Sequence, residues 1–347
     1  MQKNKMWVLL LLVIVFPCGL YSQVLHMHDL PPQTDASFRG LSVVDDSVVW
    51  LSGSKGWLGT SNDGAKNWSF HQIRGYEKCD FRSIYAFNSH AAVIANAGSP
   101  AYILYTNDGG TTWQQVYENK DTAAFIDGID FWNDKEGILY GDPINGRMLL
   151  LHTTDGGQTW QEPPPAQRPL LENGEASFAA SGTAIRCMKK GRLIIATGGT
   201  ISRLWISNDK GAHWQTLTTP ILQGQSTTGI FSQCWRDENN GIIVGGDFKR
   251  DTLTNKNIFY TTDGGKNWHQ PTNPTRGYRE CVAYISKDIL LATGPTGTDI
   301  SYDGGNNWQP FSNEKQFHVL KRARNGRLII MAGGGGKIAV LETYTKK

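Results

Sequence analysis

One eight-residue motif, written six times, constrains this chain more than any other feature. It places Ser or Thr first, Asp third, Gly or Ala fifth and Trp eighth, at 61–68, 106–113, 153–160, 207–214, 261–268 and 301–308. Its tryptophans lie 45, 47, 54, 54 and 40 residues apart. The local physics is that of a hairpin turn. The carboxylates of Asp63, Asp108, Asp155, Asp209, Asp263 and Asp303 can accept hydrogen bonds from the amides that follow, and the glycines supply positive-φ positions. Trp68, Trp113, Trp160, Trp214, Trp268 and Trp308 then open the returning strand and pack on the sheet. Six equivalent corners cannot converge on one substrate, so these aspartates read as structural. Ala65 and Lys210 break the Gly-Gly pair, which predicts some strain in those two turns.

A second periodicity gives the number of units. Apolar runs ending in a small residue occur at 48–53, 92–96, 138–141, 193–198, 242–245, 289–294 and 328–333, which makes seven. Each predicts a buried strand whose terminal residue allows a close approach. Each unit is then about 46 residues long, within the range of a four-stranded propeller blade. The seventh unit is one strand short, and the alternating segment 24–30, stopped by Pro31-Pro32, can supply it. The expectation is an all-β, seven-bladed β-propeller of four-stranded antiparallel blades, with the last blade closed by the N-terminal strand.

The N-terminus reads as a secretory leader over residues 1–22: Lys3 and Lys5, the apolar run 6–16, and a small residue at Ser22 before Gln23. Cys18 offers a lipoprotein alternative, but Pro17 does not suit it. Residues 23–347 form the single expected domain, exported to the periplasm or outside, with no membrane span and as a monomer. Two of the 34 basic residues fall in the leader, leaving 32 against 31 acids. That balance argues against nucleic-acid binding. The 39 glycines suit many tight turns.

The six boxes are similar to the Asp-box, or BNR, repeats of sialidases, several glycoside hydrolases, sortilin-type receptors and the photosystem II assembly factor-like propellers. Seven units in one exported domain most resemble the assembly factor-like family, across residues 24–342. The resemblance implies the propeller fold and a protein-binding role, with an arginine-rich patch near the channel. The sialidase pattern fits poorly. Phe38-Arg39-Gly40-Leu41 lacks the proline of its arginine motif, and Tyr278, Arg279 and Glu280 occur in the wrong order.

Aligned on the buried runs, Arg39, Arg82, Asp127, Arg186, Arg279, Glu280 and His318 are expected at the start of the innermost strands, around the channel, with Gln233 from the fifth unit. Several guanidiniums around one funnel would receive a carboxylate or other anion. The bland alternative is pairing with Asp127, Glu280 or strand-end carbonyls. Longer loops at 163–177 and 247–257, the second charged and mobile, are expected to form a rim. The function read from this is a non-enzymatic propeller that binds a protein or peptide, with an acidic segment as a candidate, through funnel and rim.

The rival reading is a sialidase-like glycoside hydrolase or a carbohydrate-binding propeller. It would need two facing carboxylates, for which Asp127, Asp130 and Glu280 are the candidates, and exposed aromatics such as Trp57, Trp132, Trp205 or Trp235 along a groove. Cys79, Cys187, Cys234 and Cys281 read as small buried hydrophobes, with disulfides left open. His26 and His28 share a strand face without enough neighbours for a metal site. Gly333 to Gly336 before Lys337 lacks phosphate-loop spacing. No catalytic residue, metal or cofactor is implied.

Overall fold

In the computed structural model, residues 23–345 are described; the expected leader, residues 1–22, lies outside them. Seven antiparallel sheets follow one another around a ring. Their innermost strands are Phe38–Val43, Ser83–Ala86, Ile126–Phe131, Ile185–Cys187, Thr228–Trp235, Cys281–Tyr284 and Phe317–Arg322, numbered here as blades 1 to 7. Each innermost strand neighbours the next, and blade 7 returns to blade 1. Between the blades lies the core, with Leu41, Leu51, Ile94, Leu139, Ile195, Ile243, Leu291 and Met331 fully buried. Among the described residues the helical pieces are four short 3-10 turns.

The seven apolar runs supply the second strands, and where a run ends in glycine the residue has a steric reason. A Cβ on Gly245 would stand 1.9 Å from the Gly229 carbonyl oxygen, and one on Gly333 would stand 1.9 Å from that of Gln316. Only a bare backbone lets the second strand close this tightly on the first.

Blade 7 is composite. Its Ile338–Thr345 strand pairs with Gln23–Leu30 from Gln23 opposite Thr345 to Leu30 opposite Ile338. In blades 3 and 5 the fourth strand is held by isolated bridges, His152 with Gln161 and Arg147 with Leu170 in blade 3 and Tyr260 with His269 in blade 5.

All six motif turns adopt one construction. In the first, Asp63 accepts hydrogen bonds from Ser61 Oγ and from the amides of Lys66 and Asn67. Hydrogen bonds from the residue four positions on hold Asp63, Asp108, Asp209 and Asp263 down to about 2. The Gly64 amide donates to the Ser47 carbonyl, so the turn is tied to the link between strands one and two of its own blade. Gly109, Gly156, Lys210, Gly264 and Gly304 repeat this tie. Hence all six boxes stud the face at which the innermost strands end. Ala65 and Lys210 do sit at positive φ, 67° and 60°. Four indoles, those of Trp68, Trp113, Trp160 and Trp308, donate to the carbonyl three residues earlier. Trp214 instead donates to Gln167 of the preceding loop.

Candidate functional site: the central channel and its two ends

The channel has two unlike ends. At the end where innermost strands begin, single-residue bulges occur in blades 1, 3, 5 and 7. A bulge adds one unpaired residue and re-aims its side chain. The bulged residues are Arg39, Asp127, Phe231 and His318, and Arg82 and Glu280 stand just ahead of their strands.

These side chains do not surround an open funnel, because the chain fills that end itself. The segment 177–183 lies across it. Arg39 Nη1 donates to the Ala180 carbonyl at 2.7 Å and meets Glu280 Oε1 at 3.2 Å. Arg82 pairs with Asp80 at 2.7 Å and reaches the Ala179 carbonyl at 3.5 Å. Ser181 Oγ donates to the Glu280 carbonyl, Thr183 bonds Ser232, and the Ser177 amide donates to Asp142. His318 Nδ1 lies 2.6 Å from Glu280 Oε2. Burial opposes ionisation of Glu280, but Arg39 and His318 hold its carboxyl below the usual range.

Two expected positions are buried within the blades instead. Arg279 is fully buried in blade 6, where its Nε donates to Asp299 at 3.0 Å and Arg276 shares that carboxylate. Next to Glu280 in sequence, it points to the opposite side of the chain, as the period-two geometry of extended backbone requires. Gln233 is buried as well, its amide donating to Ala184 and Ile194 and its carbonyl receiving the Trp235 indole. Phe231 takes the channel-end position in blade 5.

Asp127 stands alone at this end. It is fully buried, and neither carboxylate oxygen has a hydrogen-bond partner. Burial, reinforced by nearby Asp142, pushes its carboxyl well above the usual range. The neighbouring Tyr140 hydroxyl is buried and unpartnered too.

The opposite end is open. A cavity of about 410 Å³ is lined by all seven blades and floored by Gly182 and Thr183. One ring position comes from each innermost strand: Ser42, Tyr85, Asp130, Arg186, Cys234, Ala283 and Lys321. In all seven blades this residue stands across the ladder from the second residue of the second strand; Arg186 faces Ile194 as Lys321 faces Ile330. Arg186 therefore belongs to this lower ring, not to the level of Arg39.

The cavity wall carries Arg186, Lys321, Arg322 and Arg324 against one carboxylate, Asp130. Arg186 Nη1 is 3.8 Å from Asp130, and the Arg186 side chain is 54% exposed. Arg324 lies over the Tyr85 ring at 4.3 Å and donates to Ser42 and to the Ala86 carbonyl. Desolvation draws Lys321 down to about 8, with Arg324 and Arg186 acting in the same sense and Asp130 against it.

The rim loops are tied down. Buried Glu175 receives Arg203, Thr197, the Trp205 indole and the Glu172 amide, which fixes the end of the first loop. The second loop is pinned by Arg250 on Asp247 and by the Tyr278 amide on the Asp251 carbonyl. Trp205 and Trp235 are buried, and Trp132 donates to Arg192, so these indoles form no exposed row. Among the described residues Cys79, Cys187, Cys234 and Cys281 are free thiols, and no group of three His, Cys, Asp or Glu side chains could hold a metal ion.

The family model described as photosynthesis system II assembly factor YCF48 matches residues 23–121 and 97–168, and the BNR/Asp-box repeat model matches 259–270. The chain is a seven-bladed propeller carrying Asp-box repeats, and over residues 23–168 it is similar to the photosystem II assembly factor model. No curated protein matches it. Among solved structures the Asp-box propeller is similar to YCF48 bound to a D1 peptide, at 16% identity and TM-score 0.65, covering 93% of this chain and 97% of that one. YCF48 from Cyanidioschyzon merolae gives 14% and 0.67, covering 90% and 98%. A GH74 xyloglucanase from Xanthomonas campestris gives 14% and 0.61, covering 93% of this chain and 56% of that one. At these identities the likenesses show the ring alone. No helix among the described residues of the Asp-box propeller is long and apolar enough to cross a membrane.

Proposed function

We propose that this propeller is an exported, non-enzymatic binding protein that takes an acidic segment of a partner protein into the open end of its channel, on the Asp-box face. The observation that carries the reading is the cavity of about 410 Å³ with four cationic side chains against one carboxylate. Rigid concave surfaces of this kind hold ligands at little ordering cost. The likeness to a propeller solved with a peptide supports a peptide as occupant. The leader-like residues 1–22 support export, and the closed ring supports a monomer. Arg186 is the funnel arginine that serves this role, because Arg39 and Arg82 are engaged with the segment 177–183. Glycoside hydrolysis in this cavity is disfavoured, since two carboxylates are needed and the wall offers only Asp130.

The test is fluorescence anisotropy with a labelled glutamate-rich peptide. Changing Arg186 and Arg322 together to Ala should weaken binding about tenfold, or about 1.4 kcal/mol. Arg279→Ala should leave affinity unchanged while destabilising the fold by about 1.5–3 kcal/mol, because buried Asp299 loses one of its two guanidinium partners and keeps only Arg276. Affinity indifferent to the first pair of changes would overturn the reading.

A further inference from the structure

Lys321 is the most unusual cation in the molecule. It projects from the innermost strand of blade 7 into the channel cavity, half-buried, and makes no hydrogen bond or ion pair among the described residues. The charged groups acting on it are Asp130 of blade 3, Arg186 of blade 4 and Arg324 of its own blade, and the Cys281 thiol of blade 6, raised by burial, is neutral. Tyr85 and Cys234 also face the cavity, and burial raises both, so neither supplies a countercharge near neutral pH. A desolvated amine beside two guanidiniums sheds its proton readily. That is the environment in which lysine becomes a nucleophile toward carbonyl carbon.

We infer that the channel is a covalent site for small anionic carbonyl compounds, such as 2-oxo acids, with Lys321 as the nucleophile and Arg186 as the carboxylate receptor. The cavity of about 410 Å³ has room for such a molecule above the Gly182–Thr183 floor. The neutral Nζ attacks the carbonyl carbon, and the resulting carbinolamine loses its oxygen as water. Both amine hydrogens leave in that water, giving an imine. Asp130, the one carboxylate on the wall, is the group assigned to carry a proton from nitrogen to the departing oxygen. Arg186 retains free N–H groups for the ligand carboxylate, since its contact with Asp130 is a single approach at 3.8 Å. This activity uses the channel proposed for the peptide but does not depend on peptide binding, and its readout is separate.

The experiment treats the folded chain with glyoxylate and sodium cyanoborohydride, whose hydride reduces any imine to a stable carboxymethyl amine, and maps adducts by mass spectrometry of peptides. Lys321 should be modified at least tenfold faster than exposed Lys190, and the preference should vanish in denaturant. Arg186→Ala should slow glyoxylate capture at Lys321 several-fold while leaving capture of uncharged formaldehyde there unchanged. Modification of Lys321 no faster than of Lys190 would overturn the inference. Equal loss with both aldehydes in Arg186→Ala would overturn the carboxylate receptor. Lys321→Arg should abolish the fast adduct; the wild-type map decides the matter should that variant not fold.

Discussion

At the scale of single residues, this molecule separates charges that stabilise from charges that are merely held. The motif carboxylates are ionised and saturated with hydrogen bonds. Asp127 is the opposite case, buried with no donor. A carboxyl whose folded pKa is raised binds its proton more tightly in the native state, so its contribution falls as pH climbs above the unfolded value near 3.9. Asp127→Asn supplies a neutral isostere. It should raise the urea midpoint at pH 7 and leave it nearly unchanged at pH 3, and a midpoint at pH 7 below the wild type would contradict this account. Sequence spacing located Arg39, Arg82, Asp127, Glu280 and His318 at one channel end, because fourteen or fifteen positions separate them from the terminal residue of the next strand. It misplaced Arg279, since alternation along the backbone sends neighbours to opposite sides. It also missed the ring containing Tyr85, Cys234 and Lys321, although eleven or twelve positions back from the same terminal residues would have reached it.

At the scale of elements, turn chemistry and strand periodicity were legible because both are local. Six boxes and seven terminal residues each report a steric or hydrogen-bonding demand met within a few residues. The segment 177–183 was not legible. Its residues, Ser-Phe-Ala-Ala-Ser-Gly-Thr, follow neither repeat signal, and its role comes from contacts with blades 1, 2, 3, 5 and 6 that only closure of the ring creates. The closing strand belongs to the legible class: Leu25 and Met27 alternate along 24–30 and pack on the core of blades 7 and 1. Both are half-buried, so changing the two to Ala should lower unfolding free energy by about 2–4 kcal/mol in a chemical melt. An unaltered melt would mean that the strand adds little beyond its backbone pairing.

At the scale of the whole molecule, the ring makes one face differ from the other, although no single blade does. The near-balanced total charge conceals a cationic channel end, and the field there comes from blades 4 and 7 acting across the axis. Binding of an acidic peptide should therefore weaken as salt rises from 50 to 500 mM, as screening shortens to a few ångströms. It should weaken again as pH rises through about 8, where Lys321 loses its charge. A flat pH profile between 7 and 9 would remove Lys321 from the binding surface. The pairing of Gln23 with Thr345 sets a limit of another kind. Contacts between residues so far apart along the chain form late in folding, after the loops they close have been ordered. Residues 23–30 are made before 338–345 and have no partner strand until those are complete, so each nascent chain stays an open arc and becomes a ring only once 338–345 have been added.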